Sequence, residues 1–218
     1  ERARYNSIVG SLNYFATSLR YDIALPTSKL SQFMASPTVG AMQCAVRVMQ
    51  YLGATSGFSL RGRVTEECEY IHYSDSDHAG DKPYHTRSQS GILLTLNKVP
   101  VQWKSNKQSC TAYSSTAAEV MALSECVRQG NFLQWAGKDM GYPEPPTLTI
   151  YTDSKGARSF QSSITLFSWL RGYFDLREAW VKELRDQGRV KLHKVEGKQN
   201  QSDLLTKLMR PSTYNNII

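Results

Sequence analysis

The order of β-rich and helical stretches after about residue 63 constrains this fold more than any other feature of the sequence. Runs of β-branched and aromatic residues predict strands, and apolar residues spaced by three or four predict helices. Strands are predicted at 70–73, 91–96, 99–103, 147–152 and 190–195, and Asn97-Lys98 is predicted to join the second and third as a hairpin. Helices are predicted at 115–140, 153–161, 166–187 and 200–209. This order indicates one mixed α/β sheet, antiparallel at its start and parallel later, with helices packed on its faces.

The first 62 residues have a different, helical texture. Apolar residues recur every three or four positions at Ile8, Leu12, Phe15 and Leu19. That spacing predicts an amphipathic helix, and two more helices are predicted, from Asp22 to Met34 and from Thr38 to Gly53. Three short helices bury little surface alone, so this segment is expected to pack on something else. The sequence therefore predicts two domains, 1–62 and 63–218.

Charge and hydropathy limit the function classes. The chain has 218 residues, of which 40% are hydrophobic, enough to build a core. No apolar run approaches the roughly 20 residues that a membrane span needs, so no membrane partner is predicted. Lys and Arg number 26 against 19 acidic residues, and the net charge of +7 is a weak indication of a polyanionic partner. The polar start without Met predicts no secretory signal and suggests a piece of a longer polypeptide.

The cysteines indicate the compartment. Cys44, Cys68, Cys110 and Cys126 show no paired spacing, which is unlike the common zinc motifs and unlike a disulfide framework. We therefore expect an intracellular protein whose four cysteines are reduced.

Four carboxylates stand at the ends of predicted elements. Asp75 follows the first strand, Glu119 lies one turn into the long helix, Asp153 ends the fourth strand and Asp203 begins the last helix. If the two strands are parallel neighbours, Asp75 and Asp153 come close, and a helix that crosses them can add Glu119. Such carboxylates stay ionised together only if a cation neutralises them, and all-oxygen ligands favour Mg²⁺ or Mn²⁺.

Each acid also has a simpler interpretation. Glu119 could close a capping box with Thr116. Asp153 could cap the helix that follows it, and Asp203 could complement a helix dipole. Residues 75–81 superficially resemble a calcium-binding loop but lack its third and closing ligands.

Several spaced strings resemble the ribonuclease H domain of copia-type retrotransposon Pol polyproteins. They are YSDSDHAGD at 73–81, RSQSG at 87–91, WKSNKQ at 103–108, SSTAAE at 114–119 and DLLTK at 203–207. The front segment, with YNSIVGSLNY at 5–14 and KLSQFM at 29–34, resembles the stretch after the polymerase palm of such polyproteins. The resemblance covers nearly the whole chain. It implies a ribonuclease H-like mixed five-stranded sheet flanked by helices, preceded by a small all-helical segment.

The chain departs from the usual pattern of that family at several points. His78 stands where Trp is usual, Val120 where Tyr is usual, and Ser154 where Asn is usual. The loop from 196 to 202 lacks the histidine that some relatives carry before the last acid. His193 falls inside a predicted strand, where a structural role is expected.

The resemblance implies Mg²⁺-dependent hydrolysis of the RNA strand of RNA–DNA hybrids, with Mn²⁺ as a possible substitute. One ion would be held by Asp75, Glu119 and Asp153, and a second by Asp75 and Asp203. All four acids are thus candidate catalytic residues and metal ligands.

Further residues are candidates for nucleic-acid contact. Ser76, Ser115 and Ser154 are expected near the ribose 2′-hydroxyls, and Arg87, Lys104 and Lys107 near phosphates.

The resemblance also implies a partner and a location. The polymerase part of the same Pol polyprotein would be the protein partner, with residues 1–62 as the tail of its thumb or connection. The expected location is the cytoplasm, within a virus-like particle if the element is active.

Two rival functions remain open from the sequence. A non-catalytic nucleic-acid-binding domain derived from a retroelement would not need all four acids. An integrase- or transposase-like nuclease of the same fold typically uses three acids, so Asp203 argues against it.

Overall fold

A five-stranded sheet lies at the centre of the computed structural model, which describes residues 1–62, 69–78, 80, 86–142, 147–155, 176–196 and 199–208. The strands are β1 (Tyr70–Asp77), β2 (Gln89–Leu96), β3 (Val99–Lys107), β4 (Leu148–Thr152) and β5 (Val190–Lys194). The helices are α1 (Arg2–Ser18), α2 (Ala24–Ser31), α3 (Val39–Ala54), α4 (Ser115–Asp139) and α5 (Leu176–Asp186). Two short 3-10 helices span Tyr21–Ile23 and Gln201–Leu205.

The sheet confirms the predicted mixture of strand directions. Its order is β3-β2-β1-β4-β5, with β1 antiparallel to β2, β2 antiparallel to β3, and β1, β4 and β5 parallel. The β2–β3 hairpin turns at Asn97 and Lys98, as predicted, and both residues adopt positive φ angles of 51° and 66°. Positive φ at two successive turn residues is typical of the tight hairpin turns that match strand twist. The carboxyl ends of β1 and β4 therefore meet at one edge of the sheet.

The main core lies between α4 and one face of the sheet. Leu123 and Val127 of α4 pack with Ile92, Leu94 and Ile150 from the strands, and all five are fully buried. Ile92 and Leu94 belong to a continuous apolar run in β2, which is typical of a strand whose two faces are both covered.

A glycine brings α4 close to the strands. A Cβ at Gly130 would lie 2.8 Å from a methyl carbon of Leu148 and 3.0 Å from the His72 ring. The missing side chain therefore sets the distance between helix and sheet.

The buried stripe of α1 differs from the predicted one. Tyr5, Val9, Leu12 and Ala16 are buried, whereas Phe15 and Leu19 are 41% and 56% exposed. The reason is that α1 packs on α2 and α3 through these four residues, with Ile8 against the same cluster, so only Ile8 and Leu12 of the predicted stripe face it. The Tyr5 hydroxyl donates to the carbonyl of Leu30 at 2.7 Å, which a purely apolar count cannot detect.

The helical segment packs on the other face of the sheet, as its small size led us to expect. Tyr21 and Ala24 share a cluster with Leu93, Leu204 and Leu205. Trp103 of β3 packs on Tyr21 and donates its indole N–H to the carbonyl of Ala16. The helices also have a cluster of their own, formed by α1, α2 and α3. The division at residue 62 stays a proposal.

Some predicted helices differ or lie elsewhere. Residues 156–175, which include most of the predicted 153–161 helix and the start of the 166–187 helix, lie outside the described residues. In the predicted 200–209 helix, the described part is a 3-10 helix, Gln201–Leu205, which begins where the Asn200 side chain accepts from the Ser202 N–H. Among the described residues, no helix is long and apolar enough to cross a bilayer.

His72 gives the core a measurable acid sensitivity. It is fully buried between Leu94 and Ile150 on neighbouring strands, and neither ring nitrogen has a hydrogen-bond partner among the described residues. Burial lowers the pKa of His72 to about 4, with a small opposing effect from the Ile71 backbone. Because the unfolded chain takes up this proton first, stability is lost as pH falls below about 6.5.

We therefore expect His72→Leu to reduce the acid sensitivity of folding. Between about pH 7.5 and pH 5.5, His72 should account for a loss of roughly 1.3 kcal/mol in the free energy of unfolding, which the variant should not show. Urea unfolding at both pH values measures it. His193→Leu, at an exposed position of β5, controls for the exchange of residue type. Equal pH dependence in wild type and His72→Leu would contradict the assignment.

Candidate active site

Three of the four predicted acids lie together at the edge where β1 and β4 end. Asp75 lies in β1, Glu119 one turn into α4, and Asp153 directly after β4. One carboxylate oxygen of each lies within 4.8 Å of the others. The parallel pairing of β1 with β4 brings the two aspartates to the same edge, and α4 crosses above them. Their roles as ligands and catalysts stay predictions.

The start of α4 excludes the capping-box interpretation of Glu119. Ser114 is the N-cap, and its hydroxyl accepts from the N–H of Ala117 at 3.1 Å. Glu119 lies two positions beyond the residue that a capping box requires. Its carboxylate is therefore directed by the helix toward the aspartates rather than toward the helix terminus.

Burial and mutual repulsion disfavour the ionised form of these carboxyl groups. Burial, and then the charges of Asp75 and Asp153, raise the pKa of Glu119 to about 9. Burial, and then the charge of Asp75, raise the pKa of Asp203 to about 7. Among the described residues, Asp75 Oδ1 and Glu119 Oε2 are buried and accept no hydrogen bond. Buried carboxylate oxygens without donors are the donor set that a hard divalent cation prefers, so these residues fit such an ion.

Asp203 reaches the cluster through a cation of the chain itself. The Lys207 ammonium lies 3.2 Å from Asp75 Oδ2 and 3.1 Å from Asp203 Oδ1. The Thr206 hydroxyl also donates to Asp75 Oδ2. Thr206 and Lys207 belong to the DLLTK string at 203–207, but the sequence predicted no role for either. The spacing of Asp203 and Lys207 by four positions was the available signal, because such residues share one side of a helical turn.

The segment that carries Asp203 is fixed against β1, β2 and β3. Ser105 donates its hydroxyl to the Leu205 carbonyl at 2.6 Å, and Asn200 donates to the Ser74 carbonyl at 3.4 Å. Gly91 of β2 lies directly under it, where a Cβ would be 2.8 Å from the Ser202 carbonyl oxygen. The absent side chain of Gly91 is thus what allows this close approach.

The three serines predicted to contact ribose lie close in the chain to the acids. Ser76 is buried next to Asp75, and its hydroxyl has no hydrogen-bond partner among the described residues. Ser115 is exposed at the first turn of α4. Ser154 follows Asp153 and donates its N–H to the Thr152 hydroxyl at 3.3 Å. Contact with nucleic acid stays a prediction for all three.

Two of the three residues predicted to contact phosphates, Lys104 and Lys107, have protein partners. Lys104 pairs with Glu125 of α4 at 2.8 Å, and Lys107 donates to the Gln32 side chain at 2.7 Å. Arg87 is exposed just before β2. A cavity of about 420 Å³ lies between β3 and α4, and both lysines line it.

Two relatives match nearly the whole chain. The Retrovirus-related Pol polyprotein from transposon TNT 1-94 of Nicotiana tabacum is 28% identical over 205 residues, which cover 94% of this chain and 15% of that protein. The Pol polyprotein from transposon RE1 of Arabidopsis thaliana is 27% identical over 97% of this chain and 14% of that protein. The chain thus spans about one seventh of the length of these curated relatives.

A shorter relative has a higher identity. Secreted RxLR effector protein 161 of Plasmopara viticola is 39% identical over 129 residues, which cover 59% of this chain and 90% of that protein. Among solved structures, LC11-RNase H1 in complex with an RNA/DNA hybrid has a TM-score of 0.47 and 16% identity, over 63% of this chain and 94% of that chain. No protein-family model matches the chain. Over nearly its whole length the chain is thus similar to one part of retrotransposon Pol polyproteins, which confirms the resemblance found in its sequence.

Proposed function

We propose that the chain hydrolyses the RNA strand of RNA–DNA hybrids during retrotransposon reverse transcription. The observation that carries this proposal is the carboxylate cluster of Asp75, Glu119 and Asp153, whose oxygens lie within 4.8 Å of one another at the carboxyl ends of two parallel strands. The similarity of nearly the whole chain to Pol polyproteins of retrotransposons supports it.

The acids would hold Mg²⁺, or Mn²⁺ as a substitute. Asp75, Glu119 and Asp153 would hold one ion, and Asp75 with Asp203 a second. Bound ions of this kind stabilise negative charge on phosphodiester oxygens and lower the pKa of a bound water. The protein itself supplies rigid placement, since β1, β4 and α4 fix the acids before any substrate arrives.

The serines and the basic residues would select and hold the hybrid. Ser76, Ser115 and Ser154 flank the acids in the chain, where contact with 2′-hydroxyls would distinguish an RNA strand from DNA. Arg87, Lys104 and Lys107 would contact phosphates. Lys104 would have to leave Glu125 to do so, because one ammonium already pairs with that carboxylate.

The remaining proposals concern context. The partner would be the polymerase part of the same polyprotein, with residues 1–62 as its helical tail and 63–218 as the ribonuclease H-like domain. The location would be intracellular, in the cytoplasm or a virus-like particle. The relatives support both proposals, because they are retrotransposon Pol polyproteins.

A cleavage assay tests this function. The protein is incubated with a hybrid labelled on its RNA strand, with Mg²⁺ or with EDTA, and beside a DNA duplex of the same sequence. We expect RNA cleavage with Mg²⁺, none with EDTA, and none of the DNA duplex.

Two variants make the assay specific. Glu119→Gln keeps the size of the side chain and should lose at least about 100-fold in rate. Glu183→Gln makes the same change at an exposed position of α5, and this variant should behave as wild type. Cleavage that Glu119→Gln leaves intact would contradict the proposal. Tight hybrid binding without cleavage would instead favour the non-catalytic binding domain.

A further inference from the structure

The two oxygens of Asp75 have different surroundings. Oδ1 is buried and accepts no hydrogen bond among the described residues. Oδ2 accepts from the Thr206 hydroxyl and lies 3.2 Å from the Lys207 ammonium. One oxygen of this carboxylate therefore has no hydrogen-bond donor in the described part of the chain, while the other contacts a protein cation.

Lys207 bridges the acids that were expected to share the second ion. Its ammonium is 3.2 Å from Asp75 and 3.1 Å from Asp203, whereas Asp203 is not among the three acids whose oxygens cluster within 4.8 Å. Its charge also lowers the pKa of Glu119, against the larger effect of burial that raises it. A positive charge thus stands where two aspartates would otherwise repel each other.

We propose that the Lys207 ammonium is the resident cation of the Asp75–Asp203 pair. A first divalent ion then binds at Asp75, Glu119 and Asp153, and a second binds between Asp75 and Asp203 only by displacing Lys207. The inference rests on the metal site proposed above.

A lysine suits this exchange. Its ammonium is a compact single charge on a flexible four-carbon stem, so it can hold two carboxylates and also move away. The Lys207 side chain is 41% exposed, while Asp75 is 1% exposed, so the cation has a path to solvent that the carboxylate lacks. The ammonium holds the aspartates together before metal arrives and makes the second ion the weaker one.

Calorimetric titration with Mn²⁺ tests the proposal. In wild type we expect one tight and one weaker ion. In Lys207→Met the second ion should bind at least about tenfold more tightly, because no protein cation competes for the two carboxylates. Lys207→Arg keeps the charge and should keep the weak second site.

Lys104→Met is the matched control. Lys104 has the same side-chain exposure, 41%, and also pairs with a carboxylate, that of Glu125. The variant therefore removes the same charge from a comparable ion pair outside the acid cluster. Its Mn²⁺ titration should match that of wild type.

A second measurement uses the unaltered chain. Lysine side chains are ¹³C-methylated, and the Lys207 resonance, identified from Lys207→Arg, is followed during Mg²⁺ titration. It should shift with the second equivalent of Mg²⁺ and not with the first. This readout does not depend on the folding of the methionine variant.

The outcomes separate the inference from the proposed function. Equal ion numbers and affinities in wild type and Lys207→Met, with an unmoved Lys207 resonance, would overturn the inference. Absence of ion binding in all variants would overturn it together with the metal site. The expected titrations combined with no RNA cleavage would leave the inference standing and refute the nuclease function.

Discussion

Asp75→Asn is expected to lower the rate of hybrid cleavage by at least about 1000-fold, equivalent to roughly 4 kcal/mol of transition-state stabilisation. Asp75 is the acid that belongs to both proposed ion positions, through its contacts with the cluster and with Asp203 by way of Lys207. Asparagine keeps the shape of the side chain and removes its charge. The loss should therefore appear at every Mg²⁺ concentration, measured as initial rates on labelled hybrid.

The same variant should change how metal-free stability depends on pH. The folded pKa of Glu119 is about 9 and the ordinary value is 4.5, so the folded chain holds a proton that the unfolded chain has lost between these values. Stability therefore falls as pH rises through that window. The charge of Asp75 is the second cause of the shift, after burial, so Asp75→Asn should make this fall smaller.

Chemical unfolding in EDTA at about pH 6 and pH 9 measures that difference. Asp186→Asn, on the exposed side of α5, is the control for an Asp to Asn exchange and should keep both the activity and the pH dependence of wild type. Cleavage by Asp75→Asn within about tenfold of wild type would refute the role given to Asp75.

Gly91→Ala is expected to destabilise the chain by about 1–3 kcal/mol and to impair cleavage. The added Cβ would lie 2.6 Å from Thr206 Cγ2, 2.8 Å from the Ser202 carbonyl oxygen and 2.9 Å from Leu205 Cβ. Because backbone is among these neighbours, the 3-10 segment that carries Asp203 must move. Urea unfolding measures the first effect, and hybrid cleavage at saturating Mg²⁺ measures the second.

Gly10→Ala is the matched control for this substitution. Gly10 lies inside α1, and a Cβ there meets nothing within 4 Å. Alanine in a helix should stabilise the chain by roughly 0.5–1 kcal/mol at such an open position. If Gly91→Ala were as stable and as active as wild type, the close approach would not be what places Asp203.

The elements that the sequence predicts correctly are those with local signals. The Asn97–Lys98 turn and the β-rich runs predicted the hairpin and the strands. Asp75 and Asp153 were expected to come close if their strands were parallel neighbours, and β1 and β4 do pair in parallel. The hairpin and the strands depend on turn chemistry and on the alternation of side chains. Both signals can be seen within a few consecutive residues.

The sequence predictions were wrong where tertiary contacts decide which side chains are buried. Phe15 and Leu19 fit the period of an apolar stripe but are exposed, because α1 packs through Tyr5, Val9 and Ala16. Lys207 was part of the DLLTK string, but the sequence predicted no contact for it. Its spacing from Asp203 indicates that pair, but its contact with Asp75 depends on the 3-10 turn that packs against the sheet.

The hydrogen bonds of Gln89 connect helix α2 to the turn that carries Asp203. Gln89 donates to Ser28 of α2 at 3.2 Å and to Ser105 of β3 at 3.0 Å, and Ser105 in turn holds the carbonyl of Leu205. The helices and the turn that presents Asp203 are therefore joined by a continuous polar relay. Loss of the Ser28 hydroxyl in α2 is therefore expected to reach, through these hydrogen bonds, the turn that carries Asp203.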